Sequence, residues 1–469
     1  MNILRYLIIA IILIIGTHHE GVAQDNTVKE RDARPNILLV FVDDLDHEPL
    51  GFMGNEIIQT PNIDQLAAEG VAFRNAFAVT ATCITSRGTL MTGQYAARTG
   101  IYFDQFDGFT EEQAAMSFPA QLRQSGYHTG YVGKWHLGRF REGMFDDDRA
   151  YDGQGQFWSE AYPPERGSHL TDRLGNQAVD MIHDAPAGKP FAMTVGFKAP
   201  HVQDGFHPVE PYPASPATAV LYERDEIPAP PLSDSAFFES QPDFLQQSLN
   251  RVRWDYRLGP PESLNFQRSM RRYYRMVTGV DRQLGKMMQA LRETGRLENT
   301  IIVFTSDHGM YLGDRGFAGK WLGHDTAIRI PLIVRDPGLR EAEVGTNREQ
   351  MVLMVDLLPT FLDWAGLSPP EEVQGSSFAP IVGGQDPPDW RSEFFYEHHS
   401  FADRIPRSEG VRTERYKYLR YLDSEPLYEE LYDLKKDPDE SNNLADDPEY
   451  ADLLRQMRDK WEQWQKEVQ

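Results

Sequence analysis

Short apolar runs recur along the chain and predict buried strands. The clearest is an unbroken run at residues 36–42, and weaker versions follow at 129–132, 191–197 and 301–305. Runs of this length without regular polar positions are typical of strands that are buried on both faces of a parallel sheet. We therefore expect these four segments to be strands of one sheet.

Helical periodicity occupies the intervals between these runs. Thr60 and Pro61 have the residue types of an N-cap and a first helical position, so a helix is predicted to begin there. A longer helix is predicted over 264–294, where one stripe recurs at three- and four-residue steps before Gly295. The stripe consists of Met270, Tyr274, Val277, Asp281, Leu284, Met288 and Leu291. Strands that alternate with helices indicate an α/β layered sheet.

Two segments interrupt this alternation. Residues 202–262 are rich in Pro, Asp and Glu with weak periodicity, which predicts a long insertion with substrate loops over one edge of the sheet. After residue 375, aromatic runs at 394–396 and 415–421 predict antiparallel strands, and 450–466 predicts a terminal amphipathic helix. We expect a main α/β domain over 35–375 and a smaller α+β subdomain over 376–469.

The N-terminus has the pattern of a secretory signal peptide, predicted over 1–23. Arg5 precedes an apolar run at 7–15 that is too short to span a bilayer, and a cleavage site is predicted at 21–23. Residues 24–34 are polar and predict a flexible leader. An uncleaved membrane anchor is the alternative. We expect a soluble, exported protein, periplasmic or secreted, without stable membrane insertion.

The amino-acid composition limits the kinds of molecule that the protein is expected to bind. The 469-residue chain carries a net charge of −24, which argues against nucleic acid because phosphate backbones bind to basic faces. Global charge does not exclude small anionic substrates, since local cations recognise those. A single cysteine cannot form an intramolecular disulfide, so stability must come from a large apolar core.

That single cysteine, Cys83, lies in a Thr- and Ser-rich stretch that opens a helix-like run, four residues before Arg87. A thiol at a helix N-terminus beside a cation is primed to ionise, and an anion would bind there as well. The alternative is a buried cysteine that acts as a small hydrophobe. The residues next to Cys83 do not decide between these two interpretations.

Polar residues follow each apolar run where the predicted strand ends. Asp43 and Asp44 follow the first run, and Asp307 and His308 follow the fourth. Ligands bind beyond the carboxyl ends of the strands in open α/β sheets, so these side chains predict one site. Neighbouring carboxylates repel each other unless a cation lies between them, and oxygen ligands suit Ca²⁺ or Mg²⁺ better than zinc. A neutral ring nitrogen of His308 could complete the shell.

Cations and histidines follow the second and third runs. Lys134 and His136 follow the second run, and His201 follows the third. Each of these alone is more often a surface or structural residue. Arg87, Lys134 and Lys320 together would instead bind a doubly charged tetrahedral anion, and His136 and His201 could transfer protons there.

Seven sequence blocks occur along the chain, at 36–44, 60–67, 83–93, 133–138, 305–309, 328–334 and 430–445. In this order they resemble the sulfatase family of the alkaline-phosphatase superfamily. The resemblance implies an alkaline-phosphatase-like α/β fold, with a large mixed, mostly parallel sheet sandwiched by helices. It also implies a smaller C-terminal subdomain that carries an antiparallel sheet. The domain over 35–375 would be the catalytic one.

The resemblance implies two additions to the chain. A formylglycine-generating maturation enzyme would convert Cys83 to 3-oxoalanine (Cα-formylglycine), whose hydrated aldehyde would be the nucleophile. A divalent cation, Ca²⁺ rather than Mg²⁺, would be the cofactor. The implied ligands of the cation are Asp43, Asp44, residue 83, Asp307 and His308.

It also implies roles for the surrounding side chains. Asp307 would take a proton from the nucleophile, His201 would act as general acid, and His136 would act as base in the release of sulfate. The sulfate oxygens would be held by Arg87, Lys134 and Lys320.

Two positions depart from the family pattern. Thr85 stands where the family usually has Pro or Ala, so either the maturation enzyme tolerates Thr or Cys83 is poorly converted. His324 and Asp325 stand where the family often has Tyr and Glu, which we expect to alter the fit of the substrate. A sulfated oligo- or polysaccharide is the expected substrate. Its predicted contacts are Lys134, His201, His207, Lys320, His324, Asp325, His398, His399 and Arg404.

Two alternatives to a sulfate ester hydrolase stay open at this stage. Phosphonate and phosphate ester hydrolases of the same superfamily share the nucleophile and metal, and their substrates differ from sulfates in charge more than in shape. An inactive glycan-binding homologue is the other alternative, with Thr85 as its support.

Overall fold

The computed structural model describes residues 34–138, 141–158, 169–203 and 211–469. The predicted signal peptide at 1–23, nearly all of the predicted leader and His207 lie outside the described residues. Within those ranges, no helix combines the length and the apolar character that crossing a bilayer requires.

The strands are distributed along the described chain from Asn36 to Asp433. Their bounds are β1 Asn36–Asp43, β2 Val71–Phe73, β3 Ala76–Phe77, β4 His128–Lys134, β5 Asp147–Tyr151, β6 Phe191–Pro200, β7 Thr300–Ser306, β8 Tyr311–Leu312, β9 Ala318–Gly319, β10 Leu332–Arg335, β11 Thr346–Arg348, β12 Val352–Leu353, β13 Glu393–His398, β14 Ser408–Thr413, β15 Tyr416–Tyr421 and β16 Tyr428–Asp433.

The α-helices connect these strands and cover both faces of the central sheet. Their bounds are α1 Pro61–Glu69, α2 Cys83–Thr92, α3 Ala96–Thr99, α4 Glu111–Met116, α5 Phe118–Gln124, α6 Leu170–Asp184, α7 Ser235–Ser240, α8 Asp243–Gln246, α9 Leu249–Arg257, α10 Leu264–Glu293, α11 Asp325–Ile328, α12 Leu357–Trp364, α13 Ala379–Val382 and α14 Ala451–Glu467.

The central sheet has eight strands in the order β11-β2-β10-β7-β1-β6-β4-β5. Strands β7, β1, β6, β4 and β5 are parallel neighbours, whereas β10 is antiparallel to both β7 and β2. The predicted large, mixed and mostly parallel sheet is therefore confirmed. The four apolar runs of the sequence are strands β1, β4, β6 and β7.

Strand β1 is buried on both faces because its apolar residues serve two cores. Leu38 and Val40 pack in a cluster with α1, α6 and α10, whereas Leu39 and Phe41 pack in a second cluster with α2, α5 and α12. Successive side chains of a strand point to opposite faces, so a continuous apolar run feeds both clusters. Each such fully buried side chain contributes about 1.5–3 kcal/mol.

The long predicted helix is α10, which ends one residue before the predicted bound. The Ser263 side chain accepts a hydrogen bond from the Phe266 amide and so caps its N-terminus. Asp281, on the predicted stripe, accepts hydrogen bonds from the Asn62 and Ile63 amides at 2.9 and 2.8 Å. This polar contact joins α10 to the start of α1.

Helix α1 begins at Pro61 as predicted, but Thr60 does not cap it with its side chain. The Thr60 hydroxyl instead accepts a hydrogen bond from the Gly51 amide at 2.9 Å and donates one to Asp64 at 3.0 Å. The preceding loop therefore uses the hydroxyl that the sequence pattern assigned to the helix.

The C-terminal part forms an antiparallel sheet in the order β13-β14-β15-β16, as predicted. The terminal helix α14 packs on it, and the indole of Trp461 donates to Glu409 at 2.9 Å. The boundary at residue 375 stays a prediction.

The described part of the 202–262 insertion is more ordered than its composition predicted. It contains α7, α8 and α9, and the Asn250 side chain of α9 donates to the Lys320 carbonyl at 2.9 Å. The insertion therefore supports the loop that carries Lys320, a contact that weak periodicity could not reveal.

Candidate active site

The ends of four neighbouring strands carry the predicted polar residues to one place. Asp43 ends β1, which lies between β6 and β7. Lys134 ends β4, His201 follows β6, and Asp307 follows β7. Because these strands are parallel, their carboxyl ends meet at the same edge of the sheet. The side chains also approach one another, with Lys134 Nζ 2.5 Å from Asp43 Oδ2 and His201 Nε2 3.7 Å from Asp44 Oδ2.

Cys83 is the first residue of α2 and faces this edge. Its Sγ lies 2.7 Å from Lys320 Nζ and 3.5 Å from Asp43 Oδ1, and the residue is 3% exposed. The Ser86 hydroxyl donates to the Asp307 carbonyl at 2.5 Å and fastens the first turn of α2 to the end of β7. Residue 83 is thereby fixed between the two strand ends.

Three buried cations surround the carboxylates. Lys134 Nζ lies 2.5 Å from Asp43 Oδ2, and Arg87 Nη2 lies 3.0 Å from the same oxygen. Lys320 Nζ lies 2.5 Å from Asp44 Oδ1. These lysine and arginine groups thus partly neutralise the carboxylates and converge around Cys83.

Two histidines present Nε2 to the carboxylates. His201 Nε2 lies 3.7 Å from Asp44 Oδ2, and His308 Nε2 lies 3.6 Å from Asp44 Oδ1 and 3.5 Å from Asp307 Oδ1. The Nδ1 atoms lie 2.8 Å from the carbonyls of Val202 and Gly309, respectively. A carbonyl can only accept, so each Nδ1 carries the proton and each neutral ring directs an Nε2 lone pair at the site.

His136 lies two residues after Lys134, the last residue of β4. Phe103 packs edge-on against its ring at a centroid distance of 5.8 Å. Its Nδ1 is buried and has no hydrogen-bond partner in the described part of the chain. Burial, together with the charges of Lys134 and Arg87, lowers its pKa to about 2.

The protonation states follow from burial and from the cations. Burial raises the pKa of Asp43, but Lys134 and His201 outweigh it, so its pKa lies well below the usual range. Burial and Asp43 raise the pKa of Asp307 to about 7, against the opposing effect of Arg87. Burial lowers the pKa of His201 to about 4, although Asp44 opposes this.

The hypothesis that Cys83 is primed as a thiolate is wrong. Burial raises the pKa of its thiol to about 12, and the charge of Asp43 adds to this effect. Lys134 and Lys320 lower the pKa, but they do not compensate. The thiol is therefore protonated at neutral pH and is a poor nucleophile in this environment.

The donor set fits a hard divalent cation. One ligand atom each from Asp43, Asp44, Cys83 and His308 lies within 4.8 Å of all the others. Asp307 Oδ2 and His308 Nε2 are buried and make no hydrogen bond to any described residue. Arg87 Nη2 forms an ion pair with Asp307 Oδ2 at 3.6 Å, beyond hydrogen-bond distance, so a cation would complete the coordination of both atoms.

Asp44, His136 and Gly133 at the site hold positive φ angles, and His136 has a φ of 63°. Asp44 has a φ of 59°, and its carbonyl accepts a hydrogen bond from the Tyr273 hydroxyl of α10 at 2.9 Å. Gly133 has a φ of 103°, and an added Cβ there would lie 2.2 Å from the Gly196 carbonyl oxygen. Only glycine fits this position, which directs the chain into Lys134.

Two of the predicted substrate contacts, His324 and Asp325, bind other side chains of the protein. Tyr311 and Glu430 lie 2.6 and 2.9 Å from the two ring nitrogens of His324, which is fully buried. Asp325 pairs with Lys417 at 2.5 Å and with Arg412 at 3.3 Å. These internal partners hold His324 and Asp325 to β8 and to the C-terminal sheet, and the substrate contact of the two residues stays a prediction.

The remaining predicted contacts lie at the last residue of β13, His398, and in the loop that follows. His398 is buried, with Nδ1 3.3 Å from the Thr82 hydroxyl beside Cys83, whereas His399 Nε2 lies 2.8 Å from Glu409. Arg404 is exposed, and its carbonyl accepts from the Leu249 amide at 3.0 Å. Of these three, His398 is the one that the structure links to the site.

Sequence patterns missed two residues that shape the cation cluster. Gln154 Oε1 accepts from Lys134 Nζ at 2.6 Å, and the Tyr131 hydroxyl donates to the Lys134 carbonyl at 2.7 Å. Gln154 lies in a loop after the polar edge strand β5, which lacks an apolar run. Tyr131 points inward from β4, and its place in a buried strand was the available signal.

Comparisons with known proteins agree with this geometry. Residues 35–367 match the family model for Sulfatase, and residues 313–467 match the model for N-sulphoglucosamine sulphohydrolase, C-terminal. An N-acetylglucosamine-6-O-sulfatase of Bacteroides thetaiotaomicron is 30% identical, over 94% of this chain and 88% of that protein. An arylsulfatase of Clostridium perfringens is 28% identical, over 91% of this chain and 93% of that protein.

Solved structures share the fold. A protein in complex with its substrate D-glucosamine-2-N,6-O-disulfate has a TM-score of 0.79 and 27% identity, over 93% of this chain and 98% of that chain. A phosphonate monoester hydrolase of Agrobacterium radiobacter has a TM-score of 0.68 and 24% identity, over 93% of this chain and 96% of that chain.

Proposed function

This chain belongs to the sulfatase family, and we propose that it removes sulfate from a sulfated carbohydrate. The observation that carries the proposal is the convergence of three buried cations on residue 83, beside carboxylates that fit a metal. In this proposal Cys83 is matured to formylglycine and Ca²⁺ is the cofactor, as the family resemblance implies.

Five positions would hold the cation. Its oxygen and nitrogen donors would come from Asp43, Asp44, residue 83, Asp307 and His308. Ca²⁺, when bound, would supply Lewis-acid stabilisation of negative charge, and the hydrated aldehyde would supply the nucleophilic oxygen. The carboxylates would also stop repelling one another once a cation lies between them.

The cations of the chain would bind the sulfate group. Lys134, Lys320 and Arg87 are buried, so their charges act in a low-dielectric site where they are strongest. Charge develops on the sulfate and leaving oxygens as the ester bond breaks, and fixed donors stabilise this charge without reorganising. The Gln154 side chain and the Tyr131 hydroxyl would keep Lys134 in place.

The histidines would move protons. A bound sulfate anion favours the charged form of His201, so its Nε2 can protonate the leaving alcohol even though burial lowers its resting pKa to about 4. His136 Nδ1 has no partner among the described residues and would accept a proton when sulfate is released, because the negative charge of the sulfate opposes the burial and the cations that lower its resting pKa to about 2. Asp307 would accept the proton of the nucleophile.

The similar proteins support a carbohydrate substrate. One is named for N-acetylglucosamine-6-O-sulfate and another was solved with D-glucosamine-2-N,6-O-disulfate. We propose that the substrate is a sulfated oligo- or polysaccharide and that it contains sulfated amino sugars. Export is part of the proposal and is supported by the apolar run at 7–15.

Release of free sulfate from a panel of sulfated glycans tests the function. We expect sulfate from at least one sulfated amino sugar, and none from the same panel with Cys83→Ala. Turnover of an aryl sulfate and an aryl phosphate is measured beside it. Faster turnover of the phosphate would favour a phosphate or phosphonate ester hydrolase. Binding of glycans without any turnover by matured protein would favour an inactive homologue.

A further inference from the structure

A cationic groove lies on the outer face of helix α10, away from the candidate active site. It encloses about 600 Å³ and is lined by Glu223, Leu264, Asn265, Arg268, Arg271 and Arg275. Three of these six described residues are arginines and one is a carboxylate. On a chain with a net charge of −24, such a local excess of positive charge is unexpected.

The helix places these arginines on one stripe. At about 100° per residue, Arg268, Arg271 and Arg275 fall within about 60° of one another around the axis. Tyr273, whose hydroxyl donates to the Asp44 carbonyl, lies on the opposite side of the helix. One face of α10 therefore supports the candidate active site, and the other carries the groove.

The segment that contains Leu221 and Asp225 holds two of the three groove arginines in place. Arg271 Nε donates to the Asp225 carbonyl and Arg275 Nε donates to the Leu221 carbonyl, each at 2.7 Å. Within the described ranges, none of the three groove arginines forms an ion pair with a carboxylate. Backbone carbonyls therefore orient the guanidinium groups of Arg271 and Arg275, and Arg268 donates to the Asn265 side-chain oxygen at 3.2 Å; these acceptors are uncharged and do not neutralise the arginines.

Like charges crowd the groove. Burial lowers the pKa of Arg275, Glu223 opposes this effect, and the charges of Arg272 and Arg271 lower the pKa further. Cations that repel one another are stabilised by an anion between them, and the guanidinium fork binds oxyanions through two parallel hydrogen bonds.

We propose that this groove binds a second stretch of the sulfated glycan chain whose sulfate esters the active site hydrolyses. The proposal rests on the function proposed above. An extended polyanion is repelled by the acidic surface elsewhere, so it needs a local cationic track. Attachment at the groove would raise the concentration of sulfate esters near the active site and would favour polymers over small esters.

The test compares two triple variants of the full chain. The groove variant removes all three groove arginines by the substitutions Arg268→Gln, Arg271→Gln and Arg275→Gln. The matched control removes the same positive charge from positions outside the groove by the substitutions Arg98→Gln, Arg455→Gln and Lys466→Gln. Affinity for fluorescein-labelled dextran sulfate is measured across a salt series in a Cys83→Ala background, and turnover of an aryl sulfate is measured with Cys83 present.

We expect the groove variant to lose about tenfold or more in affinity for dextran sulfate and to show a shallower salt dependence. The control should lose less than about twofold, and both should turn over the aryl sulfate like the unaltered enzyme. Equal losses in the two variants would overturn the proposal. Tighter binding of a single-stranded oligonucleotide of the same charge would overturn the assignment to sulfated glycans.

The two proposals can fail separately. Groove-dependent binding by a matured protein that releases no sulfate would refute the hydrolase function and support the groove. Sulfate release from glycan polymers at the same rate in both variants, with equal affinities, would leave the hydrolase function standing and refute the groove.

Discussion

Two buried clusters of charged residues, one around Cys83 and one around Asp325, differ in how their charges are paired. In the second cluster, Asp325 pairs through one oxygen with Lys417 and through the other with Arg412, and both ring nitrogens of His324 have partners. In the first cluster, Asp307 Oδ2 and His308 Nε2 make no hydrogen bond to a described residue.

This difference separates a cluster that stabilises the fold from one that can do chemistry. The ion pairs of Asp325 hold α11 to strands β14 and β15, and both of its carboxylate oxygens are used within the fold. Buried donors and acceptors without partners cost free energy, and they are retained where a metal or a substrate completes them. His324 and Asp325, which stand where the family often has Tyr and Glu, make their contacts within the fold.

The largest expected effect comes from removing the reactive side chain of the first cluster. Cys83→Ala should lower kcat for an aryl sulfate by about four orders of magnitude, because no formylglycine can form at alanine. Thermal unfolding should shift by little, since the change removes one sulfur atom beside Lys320. Steady-state kinetics and a melting curve of the same preparation check both expectations. Substantial residual turnover by the variant would place the nucleophile elsewhere.

Removal of divalent cations should come next. Chelation should lower kcat by about 10³-fold, because the loss of Lewis-acid stabilisation costs several kcal/mol. Added Ca²⁺ should restore the activity and raise the melting temperature again. As a control, Asp325→Asn should leave the response to chelation unchanged, because the second cluster needs no cation. Full activity after exhaustive chelation would contradict the metal assignment.

A substitution in the second cluster should lower stability and leave activity nearly unchanged. Asp325→Asn removes one partner of a buried ion pair and should lower the free energy of unfolding by about 3 kcal/mol. The kcat for an aryl sulfate should change little while the protein stays folded. Asp452→Asn, which breaks an exposed pair with Arg455, is the matched control and should cost less than about 1 kcal/mol. Equal losses of unfolding free energy in the two variants would show that the buried pairs of Asp325 stabilise the fold no more than an exposed pair does.

Acid should also act on the second cluster. Burial raises the pKa of Asp325, but Lys417 and Arg412 outweigh it, so the pKa lies below its usual value in the folded protein. The folded state then binds fewer protons than the unfolded state, and the stabilisation is present above pH about 4 and lost as pH falls. Asp325→Asn should therefore flatten the acid side of the stability curve in urea titrations. Parallel curves for the two proteins would refute this linkage.

The smallest effect is expected at Thr85. Its buried hydroxyl has no hydrogen-bond partner among the described residues, so Thr85→Ala should change stability by less than about 1 kcal/mol. The family usually has Pro or Ala at this position, and we expect the converted fraction at Cys83 to rise. Thr89→Ala is a matched control, because that hydroxyl is also buried in α2 without a described partner. A rise in both variants would assign the effect to helix stability.

The sequence predicted the first cluster better than the second for a physical reason. Strands β1, β4, β6 and β7 are buried on both faces, so each is visible in the sequence as an apolar run. The polar residues that follow each run lie at the carboxyl edge of the sheet. The partners of Asp325 lie 87 and 92 residues away, at Arg412 and Lys417. A pairing at such a distance leaves no local pattern.

Other features escaped prediction because they depend on tertiary contacts. Gln154 follows an edge strand with charged residues, and its contact with Lys134 arises from the parallel pairing of β4 and β5. The Thr60 hydroxyl was assigned to a helix cap, but the loop at Gly51 binds it. Composition located the insertion, but it could not predict that α9 supports the Lys320 loop.

The mass of the peptide that contains residue 83, isolated from protein expressed with a formylglycine-generating enzyme, tests the central claim most directly. We predict an aldehyde in place of the thiol, in a fraction that tracks the specific activity for sulfate release. A peptide that carries only the thiol, from protein that still releases sulfate at full rate, would contradict the claim that residue 83 is the matured centre of this site.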